Sequence, residues 1–206
     1  MRQLSTIRAV LLDMDGTLVD SDAAVERAWR QWCELTGAPL EATLQVSPGK
    51  PSSSTVRDMF PTWDASAVAK SAKLQVGFQY EDLDDVIAAI GADVLLEALR
   101  VLNLPWAVVT SADRRLSGER LRAAEIVAPL IVTCQDVPRG KPRPDGYLLA
   151  AQQLNVGPEY CLVVEDTEAG VTAGKEAGML VAGLRGVGGD IGINDLAQLA
   201  RLLTRA

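Results

Sequence analysis

Two aspartates, Asp13 and Asp15, stand two residues apart directly after the apolar run Ala9-Val10-Leu11-Leu12, within AVLLDMDGTLVD. In an extended backbone, side chains at that spacing project to one side, about 6.5–7 Å apart. Carboxylates so placed repel each other unless a cation lies between them or one holds a proton. Gly16 follows, a residue that accepts the positive φ of a sharp turn. Three further apolar runs end in groups suited to the same chemistry: Thr110 and Ser111 after AVV, Lys141 in RGKPRPD after LIVTCQDVP, and Glu165 with Asp166 after LVV. Carboxylate oxygens from Asp13 and Asp166, completed by waters or a backbone carbonyl, make a hard, all-oxygen site that suits Mg2+ better than Zn2+. Lys141 adds a point charge, and the Thr110 or Ser111 hydroxyl, with amides at the next helix start, can donate to a phosphate. An aspartate kept ionised by such cations can attack phosphorus. Asp15 can then protonate the leaving alkoxide and deprotonate water. Neutralising the charge spread over the transferring phosphoryl group is most of the task.

The composition narrows the alternatives. There is no histidine among the 206 residues. That removes Ser/His and Cys/His nucleophile pairs, imidazole bases and histidine metal sites, leaving acid–base work to carboxylates, lysine, tyrosine or cysteine. A net charge of -7 argues against nucleic acid or an anionic membrane as partner, while leaving room for a small anion at a local positive site. Apolar residues make up 48%, enough for a sizeable core. No apolar run approaches about 18 residues, so no membrane span is expected. Met1-Arg2-Gln3-Leu4 lacks the apolar region of a secretory signal. Cys33, Cys134 and Cys161 lack metal spacing and are read as reduced, buried, small apolar residues of a cytoplasmic protein.

The elements that must position these residues follow from periodicity. Ala9 to Leu12 reads as a strand buried on both faces, as in a parallel sheet. SDAAVERAWRQWCELTG reads as a helix capped by Ser21, stopped by Gly37, with Val25, Trp29, Trp32 and Leu35 on its apolar face. After the loop SPGKPSSS, helices are expected near 53–60 and 64–79, then a connector over 79–85. From residue 93 helices and strands alternate: DVLLEALRVLN, PWAVVT, DRRLSGERLRAAE, APLIVTC, PDGYLLAAQQLNV, YCLVV, TEAGVTAGKEAGM, LVAGL and NDLAQLARLLTR. That alternation predicts a Rossmann-like α/β fold, a parallel sheet with helices on both faces, whose strand ends converge on one edge. Residues 1–16 and 87–206 form the expected core, and 17–86 an inserted α-helical cap.

DMDGTLVDSD, VVTSA, RGKPRPD and VVEDTEAGV, in this order and with these gaps, resemble the haloacid dehalogenase-like hydrolase superfamily over nearly the whole chain. The insertion after the first motif, with AVERAWRQW, PGK and LPWAVVTSA, resembles the small-capped sugar and hexitol phosphatases and their 2-deoxyglucose-6-phosphate and glycerol-phosphate relatives. The resemblance implies Asp13 as nucleophile and Asp15 as general acid/base. It implies Mg2+ held by Asp13, the Asp15 carbonyl and Asp166, with Glu165 ligating directly or supporting the ligands. Thr110, Ser111 and Lys141 would contact phosphate. An acid at Asp15 favours phosphoryl transfer, since the dehalogenases lack one there and a halide leaves without a proton. The expected activity is a Mg2+-dependent phosphatase acting through an aspartyl-phosphate on a small sugar or polyol phosphate ester, as a monomer or weak dimer.

Several positions stay open at this level. Gly49 and Lys50 fall where relatives lay a cap loop over substrate, although glycine-lysine in a loop is also an ordinary solvated turn. Pro48 stands where a histidine is common, which bears on the substrate more than on the reaction. Thr110 and Ser111 could cap the following helix, and Glu165 could serve the helix dipole alone. Trp29 and Trp32 read as cap core before sugar platform. Gly91 lacks a preceding proline common in relatives, and Arg143 replaces a common acid. A sugar phosphomutase such as β-phosphoglucomutase shares the core and differs in where the phosphoryl goes. A receiver-like phospho-aspartate module is a further alternative, but receivers lack a long helical insertion after the first strand.

Overall fold

A computed structural model of the chain describes residues 4–81 and 83–206. Met1 to Gln3, read above for a signal sequence, and Asp82, within the expected connector, lie outside the described residues. Strand β1 (Ala9–Leu12) runs at the centre of a six-stranded sheet. Its neighbours are β4 (Trp106–Val109) and β6 (Cys161–Glu165), with β5 (Ile131–Val132) beyond β4, and β7 (Leu180–Gly183) and β8 (Ile191–Gly192) beyond β6. Every pairing in this sheet is parallel. The chain builds outward on one side through β4 and β5, then crosses to β6 on the other side of β1. The reversal between β1 and β6 is where parallel sheets of this kind open a crevice beyond the strand ends.

The central strand explains why its sequence shows no polar alternation. Val10 and Leu12 enter a core with Leu95, Leu99, Leu196 and Leu199, from helices α5 (Ala92–Val101) and α9 (Leu196–Leu203). Ala9 and Leu11 enter a second core with Tyr147, Ala150, Val171 and Ala173, from α7 (Asp145–Gln153) and α8 (Glu168–Glu176). Both faces of β1 are therefore apolar because both are covered. Helix α6 (Arg114–Ala123) follows β4 and starts on its Asp113 cap, whose carboxylate accepts from the Leu116 amide.

Between β1 and α5 the chain leaves the sheet through a two-stranded antiparallel ribbon, β2 (Val19–Asp20) with β3 (Ile87–Ala88). Four helices lie between those strands: α1 (Asp22–Thr36), α2 (Leu40–Val46), α3 (Ser52–Met59) and α4 (Ala65–Gln79). They share their own core of Trp29, Trp32, Cys33, Val56, Val68 and Ala72. Trp29 and Trp32 meet edge to face with ring centroids 5.3 Å apart, and Trp32 Nε1 donates to Ser71 Oγ at 2.8 Å. Among the described residues, no helix is long and apolar enough to cross a membrane.

Several expectations need correction. Leu35 is 67% exposed and does not share the buried face of α1. Ser21 holds the N-cap position of α1 but makes no side-chain capping bond, because its hydroxyl is used elsewhere. Helix α2 and strands β2, β3 and β8 were not anticipated, and APLIVTC contributes only two strand residues. Cys33 and Cys161 are buried, whereas Cys134 is partly exposed.

Candidate active site

The ends of β1, β4 and β6, with the loop after β5, meet at a cavity of about 1110 Å³ between the sheet edge and the four-helix unit. Of the candidate site residues, Asp13, Asp15, Gly49, Lys50, Thr110, Ser111 and Asp166 border it, whereas Lys141 and Glu165 are buried behind them. The register Leu12↔Val164 continues past the strand end, since the Asp13 amide donates to the Val164 carbonyl at 3.0 Å. This pairing brings Asp13 level with Glu165 and Asp166. Asp13, Glu165 and Asp166 offer oxygens that all lie within 4.8 Å of one another.

Lys141 holds the cluster from below. Its Nζ donates to Asp13 Oδ1 and, at 2.6 Å, to Glu165 Oε1. Glu165, at the buried end of β6, also accepts from Tyr147 OH at 2.7 Å and Thr167 Oγ1 at 3.0 Å. Thr167 in turn caps α8 by accepting from the Gly170 amide. Glu165 is thereby an anchor for the lysine and the helix start, whichever of the alternatives above holds for a metal. Asp166 accepts from Thr17 Oγ1 at 3.0 Å, with Arg185 Nε at 3.8 Å.

The electrostatics follow from burial. Burial pushes the Asp13 carboxyl well above its ordinary value; Lys141 opposes the rise, while Glu165 and Asp166 add to it. Asp166 is pushed up to about 6, by burial first and by Glu165 second. Burial would lower Lys141, but the Asp13 and Glu165 carboxylates outweigh it and hold the ammonium above its ordinary range. Three carboxylates against one ammonium leave two negative charges uncompensated within the group. A hard divalent cation fits that deficit and that all-oxygen donor set.

Asp15 is held apart from this cluster, and the repulsion expected of two neighbouring aspartates is met by a cation for each. Arg120 Nη1 lies 2.7 Å from Asp15 Oδ1, and Ser21 Oγ donates to the same oxygen at 2.7 Å. The turn between the two aspartates and β2 is tight: the Met14 carbonyl accepts from the Leu18 and Val19 amides at 2.9 and 2.8 Å. Gly16 adopts φ +82 there, and a Cβ on it would stand 2.2 Å from Asp166 Oδ2. The glycine supplies both the turn and the room for the carboxylate.

The helical unit touches the sheet edge through the loop before α3. Ser111 Oγ donates to the Gly49 carbonyl at 2.9 Å. Gly49 has φ +71, and a Cβ on it would lie 2.4 Å from Thr167 Oγ1. Lys50 borders the cavity while pairing with Asp58 at 2.9 Å. Thr110 is buried, and its Oγ1 accepts from the Ala112 amide at 3.0 Å. The cap of α6 is Asp113, so neither Thr110 nor Ser111 serves that purpose. Sequence reasoning missed Arg120, Gln79, Tyr147, Thr17 and the role of Ser21. Only the apolar setting of Tyr147 on a predicted helix gave any signal.

Residues 7–178 match the family described as "Hydrolase: haloacid dehalogenase-like hydrolase". Hexitol phosphatase A of Escherichia coli is 40% identical over 173 residues, covering 83% of this chain and 80% of that protein. Validoxylamine A 7'-phosphate phosphatase of Streptomyces hygroscopicus is 32% identical over 181 residues, covering 86% and 85%. Among solved structures, a hydrolase from Pseudomonas syringae superposes with a TM-score of 0.80 at 25% identity, over 94% of this chain and 90% of that one. The chain belongs to the haloacid dehalogenase-like hydrolase family.

Proposed function

We propose that the protein is a Mg2+-dependent phosphatase that hydrolyses a small sugar or polyol phosphate monoester through a phosphorylated Asp13. The observation that carries this reading is the pairing of two differently held aspartates. Asp13 lies among Lys141, Glu165 and Asp166, while Asp15 borders the same cavity on separate partners. The named activities of the similar proteins, a hexitol phosphatase and a validoxylamine phosphate phosphatase, support the substrate class.

Asp13, Glu165 and Asp166, with the Asp15 carbonyl, are the groups that would hold the cation. When bound, it would offset the charge that three buried carboxylates share and bind a phosphate oxygen. Asp13 attacks phosphorus as the ester bond breaks, and Asp15 gives its proton to the departing oxygen. Asp15 then takes the proton of the water that attacks the phosphoaspartate. Lys141 orients Asp13 and adds positive charge beside the phosphoryl oxygens. Thr110, Ser111 and neighbouring amides donate to those oxygens. The four-helix unit of 17–86 acts as a cap, docked through Gly49, that excludes bulk water and turns Lys50 toward the substrate. Three unpaired thiols fit a reducing cytoplasm.

Phosphate release across sugar, polyol and short-acid phosphates with Mg2+ present tests this. Inorganic phosphate should appear from hexitol or hexose phosphates, and Asp13→Asn should abolish it. Conversion of glucose 1-phosphate to another hexose phosphate without phosphate release would point to a mutase instead.

A further inference from the structure

Arg120 is 2% exposed, yet it balances no acid of the core. A guanidinium is costly to bury unless it is paired, and one partner here is Asp15. The other is Gln79, at the end of α4, whose Oε1 accepts from Arg120 Nη2 at 2.8 Å. Gln79 Nε2 donates to Gln75 Oε1 at 2.8 Å, and that oxygen also accepts from Ser52 Oγ at 2.6 Å. Ser52 opens α3, directly after the loop through Gly49 and Lys50 that docks on Ser111. A continuous polar chain thus runs from Asp15, through a helix of the sheet layer, into the four-helix unit and back to its docking loop.

The bonds at Asp15 are asymmetric. Arg120 Nη1 forms its ion pair at Oδ1 and Ser21 Oγ donates to the same oxygen, while among the described residues no side-chain hydrogen bond reaches Oδ2. An ion pair and a hydrogen bond on one oxygen tether the carboxyl group and leave the other oxygen to exchange a proton. We propose that Arg120 is the positioning residue for Asp15. With Ser21 it aims Asp15 Oδ2 at the leaving oxygen, and through Gln79, Gln75 and Ser52 it makes that aim depend on the docked helical unit. The inference rests on the phosphatase reading above. In the step concerned, the Oδ2 proton passes to the leaving oxygen as its bond to phosphorus breaks and the Asp13–phosphorus bond forms. A carboxyl misplaced by about 1 Å forfeits most of such assistance.

The test is kcat/KM with Mg2+ for a series of substituted phenyl phosphates of rising leaving-group basicity. This constant covers steps up to phosphoryl transfer to Asp13, and phenyl groups carry no sugar hydroxyls for the helical unit to recognise. Wild-type protein should depend only weakly on leaving-group basicity. Arg120→Met should steepen that dependence, slowing phenyl phosphate by roughly 100-fold while p-nitrophenyl phosphate, whose phenolate leaves without a proton, stays within about threefold. Arg120→Lys should recover part of the loss. An unchanged slope, with every substrate slowed by one factor, would make Arg120 a purely structural residue and overturn the proposal. If Arg120→Met does not fold, Gln79→Leu read on the same series decides: a steeper slope supports the proposal and an unchanged one overturns it. A wild-type protein inert toward the whole series fails at the phosphatase reading itself, a result distinct from an unchanged slope.

Discussion

Removing divalent metal should cost little stability in mild acid and much more at neutral pH. The perturbation is EDTA against Mg2+, and the group concerned is Asp166, whose carboxyl is 7% exposed and pushed up from the ordinary 3.8 to about 6. Without metal, the folded chain binds more protons than the unfolded chain between those two values, so metal-free stability falls as pH rises from about 4 to about 6. The cation and the proton compete for the same carboxylate. With a folded pKa near 6, raising the pH from about 4.5 to about 7.5 frees the site by about 30-fold, worth roughly 2 kcal/mol of binding and therefore of stability. For a chain of this length that amounts to about 4–8 °C in Tm. Asp13, also raised by burial, pushes in the same direction. The measurement is the gap between the Tm in saturating Mg2+ and in EDTA, taken at intervals across that range, which cancels pH effects common to both. The gap should widen steadily through pH 6. A carboxylate with the ordinary value of 3.8 would give almost no widening. A gap constant to about 1 °C would refute the idea that metal and proton share this cluster.

Other consequences are as direct. Lys141→Met leaves Asp13 and Glu165 buried without their cation, a break that costs about 3–5 kcal/mol and lowers the Tm in EDTA by roughly 10 °C; an unchanged Tm would contradict the role given to the lysine. Gly49→Ala puts a methyl 2.4 Å from Thr167 Oγ1 at a backbone φ of +71, so the loop cannot stay docked on Ser111. At least about 1.4 kcal/mol is lost in that way, so kcat/KM should fall tenfold or more while the Tm drops by no more than about 3–6 °C. Wild-type kcat/KM in that variant would show that docking does not matter to turnover.

The sheet was legible because β1, β4, β6 and β7 are continuous apolar runs long enough to show themselves, and the helices between them carry clear 3.6-residue patterns. Strands β2, β3 and β8 are two residues each, too short for any period to register. Helix α2 escaped because its seven residues show only one pair at helical spacing, Leu40 and Leu44, which pack against the Trp29 and Trp32 core. Leu35 sits on the stripe of α1 but beyond the reach of the neighbouring helices. Asp13, Lys141, Glu165 and Asp166 could be placed together because each ends or follows a strand of one parallel sheet, where position along the chain dictates position at the edge. Arg120 and Gln79 could not. Both are polar residues on helices, which alone read as a solvated face, and only tertiary packing buries them and joins them to Asp15. Ser21 holds the N-cap position read from the sequence, but its hydroxyl goes to Asp15, an acceptor that only the folded turn brings near.

The central claim is that Asp13 carries the phosphoryl group. The Asp15→Asn variant, mixed with p-nitrophenyl phosphate and Mg2+ and quenched in acid within the first turnover, should hold one phosphoryl group on the peptide containing Asp13, because loss of the proton acceptor slows its hydrolysis. A phosphoryl group on another residue, or a full burst of p-nitrophenol with no phosphorylated peptide, would contradict it.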